Sequence, residues 1–356
     1  MSFVASITPP NFGGLSELPK LPWPRVYLTA LVIFAAIIGG LEAYWRIRGN
    51  VPGAPDSADL WAYHRSFVVG NDPKLIVAIG TSRIRTDLRP DVMRQCLPSH
   101  RFVQLGINGA SSSLGLLAEI SHIPRFCGIV LCDILPPLMA PEHDNDQVSF
   151  TRRSVRKADA LSTYLHGVLC ERMVVLNADL TLRQCMSAQD GPRPNEDGRR
   201  HHTHADRTLD IDYTSPEALK AATESRLRTY AEIYARERRY KSIDEFKQAV
   251  AGVADSVARI RRNGGHVVFL RLPASGARLE LEESAFPSSV YFGALASVTA
   301  APWIDFRDLS RDGDLDCPDE SHLSLQGARI FTIRLVERLR LSAPLKEESN
   351  VHEYAE

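Results

Sequence analysis

LIVAIGTSRIRTDLRP, residues 75–90, decides the fold. An unbroken apolar run ends in Gly80, Thr81 and Ser82, and a charged, turn-prone stretch follows. Apolar runs of this length fit a strand covered on both faces, as in a parallel sheet. Ser82 at its tip has two readings. It closes a tight turn that caps a helix, or it is a nucleophile presented at the edge of a sheet.

The neighbouring segments repeat the pattern. Arg101–Gly106 and Gly128–Leu135 (GIVLCDIL) read as further strands, with helices at Arg89–Cys96 and Ser113–His122 between them. Alternation then stops for about a hundred residues. The polar, breaker-rich segment 191–214 reads as a loop. Ser215-Pro216 opens a helical pattern that runs to about Arg262. Strands follow at 264–273 and 301–306, and an amphipathic helix starts near Ser324. Strands alternating with helices mean βαβ units and a doubly wound α/β fold.

The 356 residues carry a net charge of −1, so no basic field points to nucleic acid. Six scattered cysteines (Cys96, Cys127, Cys132, Cys170, Cys185, Cys317) form no CxxC pair and indicate neither a zinc ribbon nor a redox motif. Val26–Leu41 is uncharged; extended to Trp45 it reaches the roughly 20 residues that cross a hydrocarbon core. Tyr44 and Trp45 are placed at the interface, with Arg46 and Arg48 beyond. A cleavable signal peptide and a buried soluble helix are the competing readings. The segment starts late and no small-x-small cleavage site follows it. The organisation expected is a disordered tail at 1–24, a transmembrane helix at 25–46, a linker at 47–72 with room for one short helix, one domain at 73–343 with a helical and loop insertion at about 140–262, and a flexible tail at 344–356.

In an open parallel sheet, ligands bind at the carboxyl ends of the strands. There the sequence collects Ser82 and Arg83, then Asn108 and Gly109, Asp133, Arg271, and finally Asp319 three residues before His322. A serine hydroxyl needs a base to take its proton and a carboxylate to fix the imidazole tautomer. Asp-x-x-His on a turn can supply both. The backbone N–H groups of Ser82 and Gly109 are candidate oxyanion donors. Arg83, Asp133 and Arg271 are candidate substrate-binding residues, Arg271 for an anionic group; a surface salt bridge is its competing role.

Other patterns fall away. His201, His202 and His204 with Asp206 lack metal-ligand spacing and read as a solvated loop. DGDLDCPDESHL has Cys317 where a calcium loop needs its turn glycine. No phosphate loop and no Gly-x-Ser-x-Gly elbow occurs. The arginines of 226–239 are interleaved with glutamates and read as a solvated helix face.

Gly-x-Ser after the first strand, a glycine loop after the second and Asp-x-x-His near the C-terminus resemble the SGNH (GDSL-type) hydrolases. The resemblance spans roughly residues 74–342, with the insertion interrupting it. It implies a three-layer, flavodoxin-like parallel sheet, with Ser82 as nucleophile, Asp319 as orienter, His322 as base and Gly109 in the oxyanion hole. It implies no cofactor and no metal. GTSR at 80–83 is similar to membrane-anchored members that modify polysaccharides by O-acetylation. For those, the resemblance implies a periplasmic or extracellular domain, an acyl-ester or cell-surface polysaccharide substrate, and a membrane-bound O-acyltransferase as partner. The chain departs from the family at the third block. Gly-x-Asn-Asp is replaced by LCDILPP, where Asp133 cannot donate a hydrogen bond when ionised. Asn108 is the candidate substitute. The alternative is a catalytically degenerate subunit that binds a membrane acyltransferase or a glycan.

Overall fold

The computed structural model describes residues 22–108, 113–135, 157–176, 199–213, 215–236, 242–341 and Leu345. Five parallel strands form the central sheet: β1 (Leu75–Ile79), β2 (Arg101–Gln104), β3 (Ile129–Asp133), β6 (His266–Arg271) and β7 (Trp303–Asp305). Their order is β2-β1-β3-β6-β7. Counting sheet strands alone this is 2-1-3-4-5, a doubly wound arrangement whose switch point lies between β1 and β3.

Side chains alternate across a strand, so each strand feeds two cores. Leu75, Val77 and Ile79 of β1 join one cluster, with Val130, Val267 and Phe269. That face is covered by α2 (Ala58–Arg65), α5 (Leu114–Ser121), α8 (Ile243–Ala249), α9 (Ala251–Arg262) and α11 (Ser288–Thr299). Ile76 and Ala78 join the other cluster, with Leu131, Val268, Leu270 and Ile304. There the cover is α3 (Ser82–Asp87), α4 (Pro90–Cys96), α10 (Gly276–Ala285) and α12 (Leu325–Leu341).

Several expectations are corrected. The Gly80–Ser82 turn does cap a helix, α3, and what the sequence did not show is that all five residues from Arg83 to Asp87 are buried. The segment read as a linker with one short helix does hold that helix, but it sends Leu60, Trp61 and Ala62 into the core, and Trp61 Nε1 donates to the Leu105 carbonyl at 3.2 Å. The loop at 191–214 contains an antiparallel hairpin, β4 (Arg199–Thr203) and β5 (Leu209–Tyr213). The insertion also carries α6 (Lys157–Arg172) and α7 (Pro216–Arg236). Leu345 is buried, inside the segment read as a flexible tail. The N-terminal tail up to residue 21 and the rest of the C-terminal tail lie outside the described residues.

One helix, α1 (Trp23–Ile47), is long and apolar enough to cross a membrane, with a mean hydropathy of 2.1. Its last turns meet the domain. Trp45, read as an interface residue, is buried, and Glu42 accepts from the N–H groups of Val174 and Val175 at 3.1 and 2.9 Å.

Gly80 ties the switch point together. It sits at φ 152°, and a Cβ there would lie 2.4 Å from Asp133 Cβ. Backbone that close to a side chain at an unusual φ admits only glycine. Gly80→Ala is expected to lower unfolding stability by about 3 kcal/mol, from overpacking and backbone strain together. A urea unfolding midpoint indistinguishable from wild type would contradict that close approach.

The hairpin is anchored by His204, which lies within 2.8 Å of Glu171 Oε1 on α6 and 2.7 Å of Asp210 Oδ2 on β5. Burial opposes the charged imidazole. The hydrogen bonds and charges of Asp210 and Glu171 outweigh it and push His204 up to about 9. A raised folded-state value gives stability that is complete below about 6.5 and is lost as pH climbs through about 9. The side chain is 26% exposed. After allowing for solvent screening, a loss of about 1–2 kcal/mol between pH 6.5 and 9.5 is expected. His204→Gln should flatten that part of the unfolding free energy against pH.

Candidate active site

The carboxyl ends of β1 and β3 meet at the switch point. Asp133, the last residue of β3, accepts from Thr81 N at 3.1 Å and Thr81 Oγ1 at 2.8 Å through Oδ2. The Thr81 hydroxyl also accepts from Arg83 N at 3.3 Å and so caps α3. These bonds fix the turn that carries Ser82, the first residue of the helix. Its N–H has no intrahelical acceptor. Burial raises the Asp133 carboxyl despite the nearby Arg83. Asp133 is therefore an internal prop for the serine turn and not a substrate contact.

The other half comes from the loop before α12. Asp319 Oδ1 accepts from the backbone N–H groups of Ser321 and His322 at 3.0 and 2.8 Å. Its Oδ2 lies 2.9 Å from His322 Nδ1. His322 Nε2 lies 2.9 Å from Ser82 Oγ. Asp319 and His322 are buried, while Ser82 is half-buried. Burial pushes the Asp319 carboxyl up, but the His322 imidazole and the Arg226 guanidinium outweigh it and hold it well below the usual carboxylate range. An ionised Asp319 only accepts, so Nδ1 of His322 carries the proton and Nε2 is left to accept from the Ser82 hydroxyl. Ser324 ends the loop; its Oγ accepts from Gly327 N at 3.1 Å at the start of α12.

Three side chains that the sequence reading did not place there brace the site, Arg226 and Asp87 at the relay loop and Arg85 at Asn108. Arg226 on α7 donates to Asp319 Oδ2 at 2.9 Å. This corrects the reading of 226–239 as a solvated face: the insertion reaches into the site. Asp87, at the end of α3, accepts from the N–H of Leu323 at 3.0 Å, and burial raises its carboxyl well above the ordinary value. Arg85 is fully buried and reaches Asn108 Oδ1 at 2.7 Å. It is held in place by the Arg207 carbonyl at 3.0 Å and by Asp56 at 2.5 Å. Arg207 stands at the hairpin tip with φ 68°, a conformation that its hydrogen bonds to Asp56 and Gln104 over-determine.

Two candidate substrate residues are taken up elsewhere. Arg83 is 2% exposed; it donates to Ser321 Oγ at 3.2 Å and pairs with Glu282, which also accepts from Arg278 at 2.7 Å. Burial opposes ionised Glu282, yet Arg83 and Arg278 bring it down to about 2. Arg271 is buried at the end of β6 with Glu283 and Asp305 as partners. Neither guanidinium is free to meet a ligand. Asn108 is exposed, and with its Oδ1 on Arg85 its amide N–H₂ is the group left for another acceptor. Gly109 lies outside the described residues.

No family model matches this chain, and no curated protein matches it. The site therefore rests on its own geometry. Among the described residues no group of three or more His, Cys, Asp and Glu side chains is placed to hold a metal ion. The arrangement can deprotonate a serine and return the proton to a leaving group.

Arg226 shares Oδ2 with His322, so its loss would free that oxygen to reorient. A hydrogen bond to a charged group contributes about 1.5–3 kcal/mol, which is about 10- to 100-fold in rate. Arg226→Gln is expected to lower kcat of any acyl transfer by that factor with little change in KM. Unchanged kcat would show that the contact is incidental.

Proposed function

We propose that the chain is a membrane-anchored serine esterase or O-acyltransferase, with a domain of SGNH-hydrolase type, acting through an acyl-serine. One observation carries the reading: Ser82 Oγ, His322 and Asp319 are joined by two 2.9 Å contacts at the carboxyl edge of a parallel sheet. Ser82 Oγ attacks the acyl carbonyl carbon as its proton passes to His322 Nε2. The imidazolium, held by Asp319, then gives that proton to the departing alkoxide, leaving the acyl group on Ser82. In the second half His322 takes a proton from water or from an acceptor hydroxyl, that oxygen attacks the acyl carbon, and the departing Ser82 Oγ takes the proton back from His322. Hydrolysis and transfer share the first half; the acceptor decides between them. The Ser82 N–H and the Asn108 amide supply the oxyanion donors within the described residues, and Gly109 is the third candidate.

The substrate class follows from the same resemblance: acyl esters, above all O-acetyl groups, of a cell-surface polysaccharide. The domain then stands outside the membrane on the α1 anchor, with a membrane-bound O-acyltransferase as partner. A second reading has its own observation. The third-block asparagine is absent and Asp133 is buried under Thr81, as suits a subunit that keeps the fold for binding alone. Full-length protein in detergent, given a chromogenic acetyl ester with and without polysaccharide fragments, separates these. Acetate release or acetylated fragments, lost in Ser82→Ala, support the enzyme. Neither product from folded wild-type protein supports the binding subunit.

A further inference from the structure

Helix α6 is apolar on two sides. Gly167 and Cys170 face the protein and are buried. Leu161, Leu165 and Leu169 are spaced four apart, hence on one face, and are 63%, 49% and 49% exposed. Tyr164 beside them is also exposed. A surface helix of a water-soluble domain puts polar residues on its outer face; α6 places three leucines there, beside exposed Ser162 and His166. About 12 Å of helix separates Leu161 from Leu169.

The position of α6 says what that neighbour is. Its C-terminal end is where α1 meets the domain. The Arg46 guanidinium on the last turn of α1 donates to the Arg172 carbonyl at 2.9 Å. Glu42, one turn earlier, accepts from Val174 and Val175, in the 3₁₀ turn that follows α6. Trp45 is buried there, and Leu176 leaves its side chain exposed. Above this foot, α1 exposes Leu28, Leu31, Val32, Phe34 and Ile37 to whatever surrounds it. The leucine stripe thus begins three residues from the point where the apolar helix meets the domain.

We infer that the Leu161-Leu165-Leu169 face of α6 lies in the acyl-chain and headgroup boundary of a lipid bilayer, beside the anchor. The inference rests on the reading of α1 as a membrane span. It makes the domain a body held against the membrane at two places instead of one tethered by a single helix. Helices with such a face bind in the interface plane through buried apolar area. The Glu42 and Arg46 contacts fix α6 relative to the anchor, so the two enter together.

The test uses the full-length chain in vesicles of phosphatidylcholine and phosphatidylglycerol containing a phospholipid with a diazirine in its acyl chain. After irradiation, trypsin releases residues 26–46 of α1 and 158–172 of α6 as separate peptides. Lipid adducts on both peptides are expected. The variant Leu161→Glu/Leu165→Glu/Leu169→Glu should lose the adduct on 158–172 and keep that on 26–46. Adducts on 26–46 alone in wild type overturn the inference and leave the anchor standing; that is the result if another part of the chain, a second copy or a protein partner covers the stripe. An unchanged α6 adduct in the triple variant overturns it as well. Adducts on neither peptide overturn the anchor, and the inference with it.

Discussion

Ser82→Ala is expected to lower ester turnover by about 10⁴- to 10⁶-fold, the loss found when the nucleophile of a serine relay is removed. The oxygen deleted is half-buried and its partner in the structure is His322 Nε2. The hydrogen bond from Thr86 Oγ1 runs to the Ser82 carbonyl at 3.1 Å and is untouched. Stability should therefore stay within about 0.5 kcal/mol of wild type. Rate constants and a urea midpoint measured on the same preparation check both statements. Loss of activity with loss of fold would say nothing of a nucleophile; retained activity with retained fold would remove Ser82 from the chemistry.

Asp319→Asn is the second large effect. The carboxylate accepts from two backbone N–H groups on Oδ1 and meets His322 and Arg226 on Oδ2. An asparagine has one acceptor oxygen. If that oxygen faces the backbone, its N–H₂ meets the imidazole and the guanidinium. His322 is then forced to carry its proton on Nε2, where it cannot take one from Ser82. A fall of about 10⁴-fold in kcat is expected, as for the same replacement in a serine protease. The variant should also lose stability, because Arg226 loses its anionic partner. The wild-type pH dependence has a definite sign. Asp319 has a depressed folded-state value, so its contribution is complete above the usual aspartate range and is lost only far below it. Any acid limb of kcat/KM above that range then belongs to a group other than Asp319, which stays ionised throughout. A limb that vanished in Asp319→Asn without loss of rate would contradict these roles.

Much of this frame was legible in the sequence because parallel strands buried on both faces read as unbroken apolar runs. LIVAI, IVLCD and HVVFLR each became a strand within a residue or two of the expected ends. Ser82, Asp319 and His322 were legible because a doubly wound sheet brings strand ends to one edge, whatever separates them along the chain. The braces were not. Arg226 belongs to a helix whose exposed residues are also charged, and nothing local marks the one arginine that turns inward. Arg83 was read as a substrate contact, and Arg271 as either a substrate contact or a surface salt bridge, because sequence shows charge but not its partner; both are paired, Arg271 in a buried salt bridge, and Glu282 and Glu283 lie on α10, which carries no strong apolar period. The hairpin at 199–213 was hidden because charged and histidine residues fill β4, and its order comes from the Arg207, His204 and Asp56 contacts. The short helix at 58–65 was legible within the linker, but its place in the core, to which Trp61 commits it, was not, because prolines and glycines precede it.

The central claim is that Ser82 is activated by His322. Full-length protein in detergent, treated with a fluorophosphonate and followed by intact mass, tests it most directly. One adduct is expected on wild type, mapping to Ser82 and absent from both Ser82→Ala and His322→Ala. No adduct on folded wild-type protein, or an adduct that persists in either variant, would contradict it.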